Sequence, residues 1–251
     1  MVFIPKLELN NWPLIGDYLK AKTSIILPIG STEQHGPSGL LGTDFLTPDA
    51  IALEVGKKTE TLVAPTLPFG NAQHHMAFKG TISLRTETYI KALKDIFLSL
   101  SHHGFTHVFI INGHGGNIAP VTSALTSLYG DRTYGIIPAS PLKGDLHNWW
   151  AGPQIQKLVK ERIGDKEGMH ATVSEVALTE FLFKEPIFNH PLGKAKDATS
   201  FSDFSDANDY RKNFPDGRIG CNLSPSTPEL GKDIFEGAIQ DAINALDNFA
   251  K

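Results

Sequence analysis

The chain has 251 residues, 41% of them hydrophobic and 20% charged, close to globular averages, so it holds enough apolar material for a sizeable core and is neither disordered nor fibrous. Twenty-three Lys and Arg against 27 Asp and Glu leave a formal charge of −4, and a pI of about 6.2 excludes a general nucleic-acid binder, which needs a basic face. The length suits one large domain or two small ones, and the absence of repeats, low-complexity stretches or an evident linker favours a single domain over 1–251.

In chain order, Thr23 to Ile29 is the first of four short apolar, β-rich runs bounded by Gly, Pro or Asn. The others are Thr61 to Leu67, Thr106 to Asn112 and Thr133 to Pro138, and all four read as buried strands. Helical patterns alternate with them. Pro48 to Lys58 has Thr47 as its expected cap, and Thr86 to His103 carries Ile90, Leu93, Ile96, Phe97 and Leu100 at helical spacing. Gln154 to Arg162, Ala171 to Phe183 and Thr227 to Phe249 follow as further helices, the last with Pro228 and Glu229 in its first turn. Alternating strand and helix predicts an α/β fold, a three-layer sandwich whose mostly parallel central sheet is covered by helices on both faces. The stretch from Phe188 to Pro228 shows no clear periodicity, and is expected to be an excursion over a site or an oligomer contact.

Ligands of such sheets bind at the carboxyl ends of the strands, which directs attention to three loops. The loop after the first strand contains Glu33 and His35, alternating so that both project to one side if extended geometry persists, and reaches Asp44 after a Gly- and Pro-rich turn. Asn112 to Asn117 follows the third strand, with His114 as its only large side chain among glycines. Phosphate cradling is the rival for such a loop, but neither the dinucleotide fingerprint nor the P-loop lysine is present. The third loop, Ser140 to Trp150, is expected after the fourth strand. Further along, His170 precedes an apolar segment that carries Glu175. Ten histidines against one cysteine, Cys221, point to imidazole and carboxylate donors, which suit zinc, manganese or iron in an open, water-holding site. That lone cysteine also excludes an internal disulfide. The opening residues lack a secretory pattern, and no apolar run is long enough to span a bilayer, so a cytoplasmic protein without membrane partners is expected.

LPIGSTEQHG, then GTD, FKGTISL, INGHGGN and a His-Ala segment carrying a Glu, in this order over about Leu27 to Ala177, resemble the creatininase (creatinine amidohydrolase) family. The resemblance implies a three-layer α/β domain, commonly hexameric, with a one- or two-metal centre that hydrolyses non-peptide or unusual amide C–N bonds. By position, Glu33, His35, Asp44 and His114 match metal ligands, Asp44 at the bridging place, and His170 matches the catalytic or substrate-contacting histidine. Creatininase itself has an aromatic residue and a glutamate ligand where this chain has Gly115 and Gly116, so Glu175 is the replacement expected for a second metal, or an alternative base. Thr172 and Val173 also alter the family's His-Ala-Gly-Glu run.

The expected reaction is attack of metal-activated water on a small cyclic or formyl amide, with one or two divalent ions per subunit, zinc first and manganese or iron as alternatives. His170 would pass a proton to the departing nitrogen. Trp149, Trp150 and His75 are candidate substrate contacts, although a Trp pair more often simply packs, while His102 and His103 at a helix end read as structural. A metallopeptidase acting on a modified peptide, creatinine hydrolysis proper and a non-catalytic scaffold are the competing readings. A homohexamer is the expected assembly, with Phe201, Phe204, Tyr210 and Phe214 as interface anchors.

Overall fold

The structure is a computed structural model that describes residues 3–138, 141–183, 192–198 and 204–250. Among these, β1 (Ser24–Ile29), β2 (Leu62–Val63), β3 (His107–Asn112) and β4 (Lys143–Asn148) form one parallel sheet in the order β2-β1-β3-β4. Parallel strands need crossovers, and α2 (Thr43–Thr59), α3 (Thr86–His102) and α4 (Ile118–Thr133) supply them. The remaining helices are α1 (Trp12–Ala21), α5 (Pro153–Arg162), α6 (Val173–Leu182), α7 (Ala207–Asn213) and α8 (Pro228–Phe249).

The pleat sorts the central strands into two cores. Ile26, Phe109 and Ile111 face α2, α5, α6 and α8, packing with Ile51, Val55, Ala177 and Ile234. Ile25, Leu27, Val108 and Ile110 face the other way, against Leu93 and Phe97 of α3 and Val121 and Leu128 of α4. In-register pairs such as Ile26 with Phe109 and Leu27 with Ile110 keep each face apolar across the sheet. Both faces are therefore covered, as the α/β reading requires. Pro28 is tolerated in a central strand because its carbonyl, accepting from Leu67 N–H, points to the side where β2 has already ended.

Four expectations are corrected. Thr133 to Pro138 is not a strand, since α4 runs through Thr133 and Ile136 beyond it is 68% exposed. The fourth strand is Lys143–Asn148, inside the stretch expected to be a loop. As an edge strand it is only half-buried, so its sequence lacks the apolar run of a central strand, and Leu146 alone joins a core. Thr47 does not cap α2, which starts four residues earlier after Gly42; its hydroxyl instead donates to the Thr43 carbonyl at 2.9 Å. Finally, part of Phe188 to Pro228, Phe201 included, lies outside the described residues, but the rest contains α7, capped by the Asp206 side chain. Tyr210 and Phe214 are buried there with Ile219 in a small third core, against Phe78 and Phe204, so these aromatics bury against their own chain rather than waiting for a partner.

Candidate metal centre

The loops at the carboxyl ends of β1 and β3 converge on the N-terminus of α2. Contact is close because two glycines permit it: a Cβ on Gly30 or on Gly113 would lie 2.0 Å from the Asp44 carbonyl oxygen. That approach carries the Asp44 side chain between the two loops. His35 Nε2 is 2.9 Å from Asp44 Oδ1, and His114 Nδ1 is 3.0 Å from Asp44 Oδ2. His114 Nε2 lies 3.2 Å from Glu33 Oε2. All four side chains are buried, and Glu33, His35 and Asp44 offer ligand atoms within 4.8 Å of one another.

The surroundings orient these rings. His35 Nδ1–H donates to the Glu33 carbonyl at 3.2 Å, which leaves Nε2 to face the carboxylates. The Asn71 carbonyl lies 3.1 Å from His114 Nε2 and accepts its proton, so Nδ1 faces Asp44. The loop itself is braced by side chains that sequence reasoning passed over. Asn117 donates to the Gly30 carbonyl and accepts from Asn71 N–H, while Thr81, from the FKGTISL stretch, accepts from Gln34 N–H. Ile82 pairs antiparallel with Thr32 and extends the first loop beyond the sheet.

His170 and Glu175 arrive from the far side. Ala171 between His170 and α6 adopts φ +52°, a left-handed conformation costly for a residue with a Cβ, and it turns the chain so that both side chains enter the site. Thr172 and Glu175 form a capping box: Glu175 N–H donates to Thr172 Oγ1 and Thr172 N–H donates to Glu175 Oε2 at 2.8 Å. Glu175 Oε2 stands 3.9 Å from His35 Nε2, and His170 Nδ1 stands 3.9 Å from Glu33 Oε1.

Electrostatics follow from burial. Glu33 is wholly buried with neither carboxylate oxygen hydrogen-bonded, an arrangement that is costly unless a cation compensates. Burial opposes protonation of His35 and His114, yet the carboxylates beside them outweigh it and push the two imidazoles up to about 10 and about 9. Burial pushes the Glu175 carboxyl up to about 7, with His35 pulling the other way. His170 and His75 are held well below the usual imidazole range, first by burial and then by neighbouring histidines. An acidic, imidazole-lined, largely dry pocket of this kind fits a divalent cation.

A cavity of about 730 Å³ opens on the cluster. Asp44, His114, His170 and Glu175 line its floor, and His74, Phe204 and Tyr210 form an aromatic wall. Neither Lys nor Arg occurs among its described lining residues. Trp150 lines it, but Trp149 does not: it is fully buried in the core below, packed edge-on to Trp150, so its expected substrate contact is corrected to a packing role. His75 sits deeper than expected, its Nε2 3.2 Å from Glu33 Oε1. His74 stands beside His75 in the loop before FKGTISL, where the sequence pairs them at the border of the site, whereas Tyr210 was not identifiable from sequence because no spacing links it to the ligand loops.

A family model described as "Creatininase: Creatinine amidohydrolase" matches residues 8–246. A curated relative, the mycofactocin precursor peptide peptidase of Mycobacterium tuberculosis (strain CDC 1551 / Oshkosh), is 36% identical over 135 residues, 49% of this chain and 53% of the relative. The chain thus spans about half the length of that relative. A solved structure titled "Creatininase Mn" superposes with a TM-score of 0.81 at 22% identity, covering 98% of this chain and 99% of the other. A zinc–zinc form of a mutant creatininase gives 0.79 at 23% identity, with 98% of each chain covered. These two share the three-layer fold.

Proposed function

The chain belongs to the creatininase family, and on that premise we propose that it is a metal-dependent amidohydrolase acting on a small cyclic or formyl amide. The observation that carries the reading is the buried Glu33 carboxylate, whose oxygens lack hydrogen-bond donors while His35, Asp44 and His114 ring it. These four residues would hold the ion, and Glu175 would complete a second site. Gly116 cannot be replaced by a side-chain ligand without displacement, because a Cβ there would lie 2.4 Å from both His114 Nε2 and the Asn71 carbonyl. The zinc and manganese forms of the structural neighbours make zinc the first candidate, with manganese next and iron a further alternative.

A bound divalent ion would lower the pKa of water toward about 7 and polarise a carbonyl oxygen. The protein's own residues do the rest. His170 is neutral, and its Nδ1 faces the cluster, where it can take a proton from the attacking water and return it to the departing nitrogen. Ile118, Met169 and Ile219 add apolar surface to the cavity lining beside these polar groups. A lining without Lys or Arg favours a substrate that is uncharged or cationic near the scissile bond.

A peptide substrate is the second reading, favoured by the size of the cavity and by the peptidase named among the relatives. We place the protein in the reducing cytoplasm on the strength of its single, free cysteine. Homohexameric assembly of one-domain subunits completes the proposal; no helix among the described residues is long and apolar enough to cross a membrane.

Protein purified without added metal should contain a transition metal by elemental analysis and hydrolyse at least one member of a panel of cyclic, formyl and peptide amides. Asp44→Ala should lose both properties while keeping its circular dichroism. An Asp44→Ala protein with full metal content would overturn the assignment.

A further inference from the structure

We infer that Gln34 is a positioning residue that fixes the tautomers of His75 and His170, and thereby decides which histidines around Glu33 can hold a metal and which one can carry a proton. The inference rests on reading the Glu33 cluster as a metal centre. Two histidine sets compete for that carboxylate. Glu33 groups with His35 and Asp44 on one side, and with His75 and His170 on the other, each set with its donor atoms within 4.8 Å. Distances alone do not choose between them, but proton positions do.

Two backbone groups fix the orientation of the Gln34 side chain. Gly36 N–H donates to its Oε1 at 2.8 Å, and its Nε2 donates to the Gly217 carbonyl at 2.9 Å. Exchanging the amide oxygen and nitrogen would set donor against donor at Gly36 and acceptor against acceptor at Gly217. One Nε2 proton remains, and two imidazole nitrogens stand 2.9 Å away, His75 Nδ1 and His170 Nε2.

The Gln34 backbone decides between them. Its carbonyl oxygen lies 2.8 Å from His170 Nε2, a contact that is favourable only if that nitrogen carries a proton and donates it. His170 is therefore protonated on Nε2, with a bare Nδ1 facing the cluster 3.9 Å from Glu33 Oε1. The spare Gln34 proton then goes to His75 Nδ1, which must be an acceptor. A neutral His75 with a bare Nδ1 carries its proton on Nε2, the nitrogen 3.2 Å from Glu33 Oε1.

One amide thus gives two neighbouring imidazoles opposite functions. His75 turns its Nε2–H toward Glu33 Oε1 at 3.2 Å without forming a hydrogen bond, so that nitrogen cannot donate a lone pair to a cation. His170 presents a lone pair, so it can receive a proton. Metal is left to the set made by Glu33, His35 and Asp44 with His114. Gln34 touches neither substrate nor reacting atoms in this scheme; buried between the two rings, it acts through them.

Neutron diffraction from deuterium-exchanged crystals, metal-free and zinc-soaked, reads the result directly. Deuterons are expected on Nε2 of both His75 and His170, with Nδ1 bare on each; a deuteron on His75 Nδ1 would overturn the inference. In Gln34→Glu crystals grown at mildly alkaline pH, the carboxylate offers His75 an acceptor in place of a donor, and its deuteron should move to Nδ1. If it stays on Nε2, Gln34 does not set the tautomer. Zinc failing to bind anywhere would sink the metal-centre reading while leaving the deuteron positions to be read in the metal-free crystals.

Discussion

His170 and Asp44 differ in what surrounds them, and substitutions should separate their roles. Asp44 bridges His35 and His114 and is proposed to hold the cation, whereas His170 stands on another segment with Nδ1 turned toward the cluster. His170→Ala should therefore keep its metal by elemental analysis and lose turnover by about a hundredfold, the usual scale for a general acid or base; metal lost together with activity would make it a ligand. Acidity gives a second test. In the metal-free protein His35 and His114 have pKa values raised above 6.5 to about 10 and about 9, so their protonated forms stabilise the fold below about pH 6.5. That stabilisation is lost as pH rises through those values. A cation must displace the same protons, so metal affinity should increase from pH 6 toward pH 9, with proton release visible by calorimetry in buffers of different ionisation enthalpy. Affinity independent of pH, with no protons released, would exclude these histidines as ligands. The candidate ligands were legible in the sequence: Glu33, His35 and His114 lie just beyond recognisable strand tips, and Asp44 returns after the Gly- and Pro-rich turn that follows the first of them. Tyr210 was harder to read, because it reaches the site through packing of a short helix that leaves no periodic trace, and the depth of His75 could not be read because a 3-10 turn carries it inward.

Among the elements, α2 has the most to do with placing the centre. Its first turn carries Asp44, and its backbone touches the tips of both central strands only because Gly30 and Gly113 lack side chains. Gly113→Ala would drive a methyl group into the Asp44 carbonyl and the Pro48 ring. We expect a loss of roughly 1–3 kcal/mol by denaturant titration, the range for overpacking, and a fall in bound metal beyond what Ala at exposed Gly115 produces; unchanged stability and metal content would mean that the contact is not needed. The central strands, α3 and α8 were read from sequence nearly to their ends because buried runs and amphipathic faces are strong patterns. β4 was missed for the converse reason. Lys143, Asp145 and Asn148 are polar because an edge strand needs only one good neighbour, and the apolar Ile136 and Ile137 nearby imitated a strand they do not form.

At the scale of the whole molecule, the internal burial of Tyr210 and Phe214 removes the argument from irregular aromatics for assembly, and the proposed hexamer then rests on the resemblance in sequence alone. Light scattering at micromolar concentration should give a mass near six times 27.4 kDa; a 27.4 kDa particle with full activity would remove the hexamer. Whatever the assembly, the cluster is gathered from positions 33, 35, 44, 75, 114, 170 and 175, so no short contiguous fragment contains it. Contacts between residues so far apart in sequence form only after the intervening loops have closed, and loop closure is what slows folding in parallel α/β chains. His114 and His170 reach Glu33 and Asp44 only across such closures, so the two buried carboxylates lack these imidazole neighbours until the loops have closed. Capture of a cation there would mark the end of folding rather than its beginning, and would make a stalled or misthreaded chain recognisable by its empty pocket.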